Sequence, residues 1–442
     1  MDAPNKANTL KRTLTPIMLW GLGVGYVISG MYFGWNLGLE KGGTLGLAVA
    51  TAMIIMMYLS FTFSYSELAA AIPKAGGGFD YASRALGKNW GFLAGMAQNI
   101  EFIFAPPAIA YAIGAYFNLF LPDIPILTIA ITVYLIFTGL NIYGVRAAAI
   151  FELFITVLAV GELLLFAGIT IPHVSLHNLT NNALPNGWGG MFASIPFAIW
   201  FFLGIEGVAN VAEETIDPQK TITKGFGFAI LTLVLLCVLT FIGSIGVAGW
   251  EAVVFKADGS SSDSPLPMAL GKIVGNNHSL YHLLIAIGLF GLVASFHGLM
   301  LAAGRSTFEF GRVGFAPPFL GQISKRFQTP AIALLANMCL GILALLTGKT
   351  AEIITLSVFG ALTLYIISMA SVIILRKKEP DLERPYRVPF YPFTPLIALA
   401  IAALSIIAMI VYNKTLAGIF LCIMLTSFVV FNLNRRTKQN NA

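Results

Sequence analysis

Three carboxylates stand inside long apolar runs of this sequence, and their company limits what they can do. Glu206 lies in Trp200-Phe201-Phe202-Leu203-Gly204-Ile205-Glu206-Gly207, bracketed by two glycines. Glu101 follows Gln98 by three positions, on one helical face, and Pro106-Pro107 come after it as a candidate kink that opens backbone carbonyls. Glu162 sits deep in another run, and Ser295 and His297 in a fourth. A charge in the middle of a lipid-embedded helix costs on the order of 3 kcal/mol, so each carboxyl needs a cavity, a partner or a bound cation. Glu206 therefore either meets such a cation or stays protonated against a neighbouring helix. Glu101 either touches a small substrate or makes a helix–helix contact. Glu162 is a candidate coupling-ion ligand or proton carrier, and His297 either relays protons or simply packs. Glu152, near the end of its run, is expected to face headgroups or a loop.

Other chemistries find no support. His173 and His177, like His278 and His282, have metal-like spacing, but both pairs lie at run boundaries, and Ser175 and Asn178 accompany the first as loop residues do. Cys237, Cys339 and Cys422 are isolated in apolar settings, which builds neither a disulfide framework nor a metal site. Gly76-Gly77-Gly78 lacks the Gly-Lys-Ser or Gly-Lys-Thr that a nucleotide phosphate needs. The net charge of +6 is scattered in short pieces between apolar runs and forms no stripe for nucleic acid. The expectation is a protein that is not an enzyme, with no cofactor, metal, nucleotide or nucleic acid.

The elements that position the carboxylates are membrane spans. Hydrophobic residues make up 57% of the 442 and charged ones 10%, more apolar surface than a soluble interior of this size can hide. A helix needs about 20 residues to cross the hydrocarbon. Runs that fit lie at 15–38, 44–70, 90–120, 124–143, 148–171, 191–213, 225–249, 278–303, 330–347, 352–375, 394–412 and 416–434, twelve in all. Lys11 and Arg12 before the first run resemble a signal peptide, but the run is too long for one and reads as a retained helix. With twelve spans, 21 of the 26 Lys and Arg fall on one side, and only Lys41, Lys256, Lys272, Lys349 and Lys414 on the other. The positive-inside rule then places both termini in the cytoplasm of a cell inner (plasma) membrane.

Two spans should be broken. The first holds Gly21, Gly25, Gly30, Gly34 and Gly38, and such glycines serve either close helix packing or an unwound stretch around Ser29-Gly30-Met31. The sixth holds the Gly204–Gly207 segment. Interrupted helices at matched places in two inverted halves mark the binding site of many secondary transporters, whereas a simple pore needs a continuous lining.

Several segments resemble the amino acid-polyamine-organocation superfamily of permeases. They are Ser29-Gly30-Met31, Tyr65-Ser66-Glu67-Leu68-Ala69-Ala70-Ala71-Ile72-Pro73-Lys74-Ala75-Gly76-Gly77-Gly78-Phe79-Asp80-Tyr81, Phe202–Gly207 with Glu213-Glu214 and Asp217-Pro218, Gly311-Arg312-Val313-Gly314 after Arg305, and Leu375–Pro380 with Arg384-Pro385-Tyr386-Arg387-Val388-Pro389. Within that superfamily the chain is similar to the bacterial ethanolamine permease branch, through span 1 and Gln98-Asn99-Ile100-Glu101-Phe102.

The resemblance implies an all-α integral membrane protein with a five-plus-five inverted-repeat (LeuT-like) fold, discontinuous helices 1 and 6, and two extra C-terminal helices. It divides the chain into a cytoplasmic tail 1–14, repeats 15–171 and 191–375 around an external loop 172–190, a cytoplasmic loop 376–393, two last spans within 394–434 and a tail 435–442. It implies alternating access by rocking, with substrate between spans 1, 3, 6, 8 and 10. By resemblance, N–H groups at Ser29, Gly30 and Met31 bind a substrate carboxylate, and the break at Trp200, Leu203, Gly204 and Glu206 takes its ammonium. Ethanolamine carries no carboxylate, so its site should be richer in negative or π-electron partners, for which Gln98, Glu101, Glu206, Trp200, Tyr26 and Tyr32 are candidates. Proton-coupled relatives carry a lysine where this chain has Ala159 in Thr156-Val157-Leu158-Ala159. The coupling ion is thus open between proton, sodium and ion-free exchange, with Tyr32, Glu162, Ser295 and His297 as coupling or gating candidates.

Overall fold

The structure, a computed structural model, describes residues 12–74, 76–143 and 148–440. Lys6, Lys11, Ala75 and Arg146 lie outside the described residues, as do the side chains of Arg436 and Lys438. The chain is all-α. In order the helices are α1 (Pro16–Val27), α2 (Ser29–Tyr32), α3 (Asn36–Ala71), α4 (Gly78–Leu86), α5 (Lys88–Asn118), α6 (Ile126–Tyr143), α7 (Ala148–Thr170), α8 (Leu176–Thr180), α9 (Gly187–Ala193) and α10 (Ile195–Trp200). After a 3₁₀ segment, Ile205–Glu214, come α11 (Pro218–Ala248), α12 (Glu251–Val254), α13 (Pro265–Val274), α14 (Ser279–Arg312), α15 (Ala331–Leu345), α16 (Thr350–Lys378), α17 (Phe393–Tyr412) and α18 (Lys414–Asn440).

Among the described residues ten helical stretches are long and apolar enough to cross a membrane. The expected spans at 15–38 and 330–347 coincide with two shorter apolar helices, Pro16–Tyr32 and Ala331–Leu345. The expected boundary between the first two spans shifts. Helix α3 begins at Asn36, inside the run assigned to span 1, and Gly43 (φ +63°, ψ −172°) divides it where the chain turns back. Asn186 donates to the Glu40 and Lys41 carbonyls and fastens that corner.

Burial sorts the helices. Residues 195–212 are wholly buried, whereas only 28% of α6 and 22% of the most apolar stretch of α18 are. The outer helices turn Leu135, Leu140, Phe154, Leu164, Leu404 and Leu425 outward, a surface that lipid solvates as well as protein would. The inner helices pack closely through α5, α14 and α16. At the α5–α16 crossing Gly360 lies so near α5 that a Cβ there would be 2.5 Å from the Ala97 carbonyl. Helix α5 runs unbroken through Pro106 and Pro107.

The two ends of the bundle differ in charge. At one, Arg84 forks onto Glu379, Arg376 onto Glu67, and Arg305 pairs with Glu214 at 2.9 Å. Thr13 and Leu14 donate to the Glu214 carbonyl and Ile216 donates back to Leu14, so the chain before α1 is strapped across the end of the 3₁₀ segment. Arg435, on α18, reaches Asn89 at the same end. Helix α16 is 29 residues long, about 43 Å. Its far end starts beside Lys349, where Lys256 and Asp263 also lie. Among the described residues, Arg84, Arg305, Arg376 and Arg435 thus lie toward one end of the bundle and Lys256 and Lys349 toward the other.

Candidate functional site

Near the middle of α16 the two interrupted spans cross. Gly30 of span 1 meets span 6 backbone to backbone, since a Cβ there would lie 2.5 Å from the Trp200 carbonyl and 3.0 Å from the Phe201 Cα. Span 6 breaks there as expected. Helix α10 ends at Trp200, residues 201–204 are not helical, and Gly204 adopts a left-handed conformation (φ +94°) that strains other residues. The chain then continues as ten residues of 3₁₀ helix, far beyond the usual three or four, which turns Glu206 inward.

Span 1 departs from expectation. Ser29, Gly30 and Met31 are helical in α2, with only a tightened turn at Ile28, where Met31 N–H bonds the Ile28 carbonyl at 3.0 Å. The helix is lost further on, at extended Phe33 and at Gly34 (φ +87°). Packing against Trp200, rather than unwinding, is what Gly30 serves. The carbonyls of span 1 are capped by side chains: Ser295 Oγ donates to Tyr26 O at 2.6 Å, Trp35 Nε1 to Met31 O at 3.1 Å, and Tyr116 Oη to Tyr32 O at 2.9 Å. The Gly34 N–H is taken by Asn36 Oδ1 at 3.1 Å.

Glu101 and Glu206 come together. Both are buried, and their carboxyls lie within side-chain reach of each other, with the Gly204 N–H also turned toward Glu101. Tyr365 donates to Glu206 Oε2 at 2.8 Å and its hydroxyl lies 3.1 Å from that of Tyr58. Neither oxygen of Glu101 and not Oε1 of Glu206 has a protein N–H or O–H in ordinary hydrogen-bond geometry. Phe61, Tyr58 and Phe202 wall the cluster, the ring of Phe61 4.3 Å from that of Tyr365. Ser357 donates to the Glu101 carbonyl at 2.9 Å and ties α16 to α5. Two buried carboxyls short of donors and walled by aromatic rings are completed by a proton or an ammonium.

The other expected residues fall into separate groups. Tyr32 donates to Glu162 Oε2 at 2.7 Å and to the Ala159 carbonyl at 3.2 Å, beside Tyr116 and a small cavity with room for about one water molecule that reaches Leu266, Pro267 and Ile285. Ser29 and Ser295 touch, Oγ to Oγ 2.7 Å. Gln98 donates to Ser306 at 3.4 Å, and its carbonyl oxygen has no donor. Trp200 stacks edge-on to Phe33 with its Nε1 unpartnered, and Leu203 is buried. The Tyr26 ring is wedged between Gly207 and Gly298, the sites of would-be Cβ clashes.

Glu152 corrects the sequence reading. It faces neither headgroups nor a loop, but is 2% exposed, with Oε2 3.5 Å from His297 Nδ1. Proximity to a run's end misled, because α1 and α14 cover that end of α7. Tyr365, Tyr58 and Tyr116 escaped sequence reasoning altogether. A tyrosine among Leu364 and Ile366 carries no spacing signal; only the expectation that span 10 lines the site pointed toward it.

Comparison with known proteins places this geometry. A family model described as "Amino acid permease" matches residues 14–431. An uncharacterized transporter of Rhizobium meliloti (strain 1021) is 26% identical over 441 residues, covering 96% of this chain and 92% of its own. The branched-chain amino acid permease of Bacillus subtilis (strain 168) is 26% identical over 422 residues, covering 90% and 88%. The methylthioribose transporter of the same organism is 27% identical over 436 residues, covering 91% and 89%.

Proposed function

The chain belongs to the amino acid permease family, a multi-pass membrane transporter and not an enzyme, and from that premise we propose that it carries a small amino compound, an amino acid or polyamine, by alternating access. The observation that carries this reading is the Glu101–Glu206 pair at the break of span 6, short of donors and walled by aromatic rings. The substrate ammonium sits between these carboxyls, with Tyr365 holding Glu206 in place. The Ser29–Met31 N–H groups are turned into a helical turn packed on Trp200. A substrate carboxylate reaches them only when spans 1 and 6 part, which makes opening of that crossing part of binding.

The family membership supports a twelve-span count in two inverted repeats, 15–171 and 191–375, followed by two further spans. Concentration of Arg84, Arg305 and Arg376 at the end that carries both described chain ends supports cytoplasmic termini and a plasma-membrane location.

A second reading, uptake of ethanolamine, is favoured by one observation: the box holds two carboxyls and no Lys or Arg to pair with a substrate carboxylate among the described contacts. Counterflow in proteoliposomes loaded with labelled alanine, leucine, putrescine or ethanolamine separates the readings. Exchange of an amino acid or putrescine with ethanolamine inert supports the first, and exchange of ethanolamine alone supports the second. Exchange of none by folded protein rejects both.

A further inference from the structure

Away from the substrate box, α1, α7 and α14 meet around a pair that the mechanism above does not use. Glu152 on α7 and His297 on α14 lie 3.5 Å apart, Oε2 to Nδ1, with 2% and 14% of their side chains exposed. Among the described residues, neither Glu152 oxygen nor His297 Nδ1 has another hydrogen-bond partner. The carboxyl rests in a notch made by glycines: a Cβ at Gly25 of α1 would lie 2.7 Å from Glu152 Oε1, and one at Gly298 of α14 3.3 Å away.

The groups facing the pair are few. From α1 comes the Tyr26 phenol, and from α6 the Phe137 ring, 6.1 Å from that of His297. Further along α14, Arg305 is already engaged with Glu214 of the 3₁₀ segment at 2.9 Å. No Lys or Arg pairs with Glu152 among the described residues. One proton on this carboxyl–imidazole pair, on either partner, leaves no net negative charge in lipid.

A physical path joins this pair to the substrate box. Ser295, two residues before His297, holds the Tyr26 carbonyl and touches Ser29. The Tyr26 ring is wedged between Gly298, next to His297, and Gly207, next to Glu206. Movement of α1 therefore opens the Glu152 notch to water and shifts the wall beside Glu206 together.

We propose that Glu152 and His297 form the proton-binding site that couples transport to a proton gradient. With each substrate carried, the pair takes one proton from water at one face of the membrane and releases it to water at the other. This rests on the transporter reading, and it names the coupling ion that reading leaves open.

The test uses the full chain in proteoliposomes and whichever of labelled alanine, leucine, putrescine or ethanolamine the wild type exchanges. Three quantities are read: counterflow without a pH gradient, accumulation under an imposed gradient of about one pH unit, and substrate-evoked proton entry by a trapped pH dye. Glu152→Gln is expected to keep counterflow within about threefold of wild type while losing at least about tenfold in gradient-driven accumulation, with no proton entry. His297→Gln is expected to move the pH midpoint of uptake by about one unit. Proton-driven accumulation and proton entry by Glu152→Gln equal to wild type would overturn the proposal. Should that variant fail to fold, an unchanged pH profile and proton entry in His297→Gln overturns it instead. Wild-type counterflow without proton entry overturns it too and leaves the transporter reading standing, whereas absence of wild-type counterflow rejects both.

Discussion

The two interrupted spans solve the same problem differently. Span 1 loses its helix at Phe33–Gly34 and has its carbonyls capped at once by Ser295, Trp35 and Tyr116. Span 6 loses its helix at 201–204 and leaves Glu101, Glu206 and the Trp200 indole N–H short of partners. Inside a bilayer an unmet polar group is expensive, so a break whose carbonyls are capped by side chains serves structure and one that leaves side-chain polar groups unmet suits a guest. On the proposed reading, span 6 recognises the ammonium and span 1 moves.

Substitutions that convert one kind of break into the other test this, and the largest effect should come from Glu206→Gln. Removing one charge from the box is expected to lower transport by about 100-fold or more with the protein still inserted, as loss of a desolvated charge partner does. Substrate uptake together with the size-exclusion profile checks it, and full transport would show that charge pairing plays no part at this position. Gly30→Leu is expected to be comparably severe: the side chain must enter the Trp200 backbone, so spans 1 and 6 cannot close and transport should fall to a similar level. Tyr365→Phe keeps the ring and removes the donor to Glu206, and should raise KM about tenfold with little change in the maximal rate.

Ser295→Ala uncaps span 1 without touching the carboxyl box. It is expected to cost about 1 kcal/mol of stability, read by thermal melting, and less than about threefold in KM. A larger loss of affinity than in Tyr365→Phe would reverse the assignment of roles.

A smaller effect is expected in the loop before α13, where the Ser262 carbonyl accepts from the Asn36 amide that caps Gly34. Burial pushes the Asp263 carboxyl up to about 6, against the pull of Lys256 and a hydrogen bond from Thr350. A carboxyl whose value in the fold exceeds that of the unfolded chain costs stability at high pH and ceases to do so as pH falls through 6 toward 4. Asp263→Asn should therefore raise the melting temperature at pH 7.5 by a few degrees and leave it unchanged at pH 4. Lys414→Ala, at the first residue of α18, should change neither transport nor melting.

Much of this was legible in the residues. Ten of the expected spans followed from length and hydropathy, and the inward carboxyls Glu101 and Glu206 followed from the cost of charge in lipid. What the sequence hid was pairwise. Gly30 could serve packing or unwinding, and only the distance to Trp200 decides for packing. The break moved to Gly34, whose positive φ no neighbouring residue announces. Glu152 lay near a run's end and read as exposed, because burial there depends on how α1 and α14 cross α7. Tyr365 had no pattern to mark it and becomes functional only through what stands 2.8 Å away.

The claim that an amino group is gripped at span 6 is tested most directly by competition. Counterflow of the labelled substrate is measured against two analogues, an amine without a carboxylate, such as ethanolamine or putrescine, and a carboxylate without an amine, such as propionate. Inhibition by the amine and none by propionate is the expected result. Inhibition by propionate with the amines inert would place recognition at the span 1 backbone and contradict the role of Glu101 and Glu206 as the ammonium's partners.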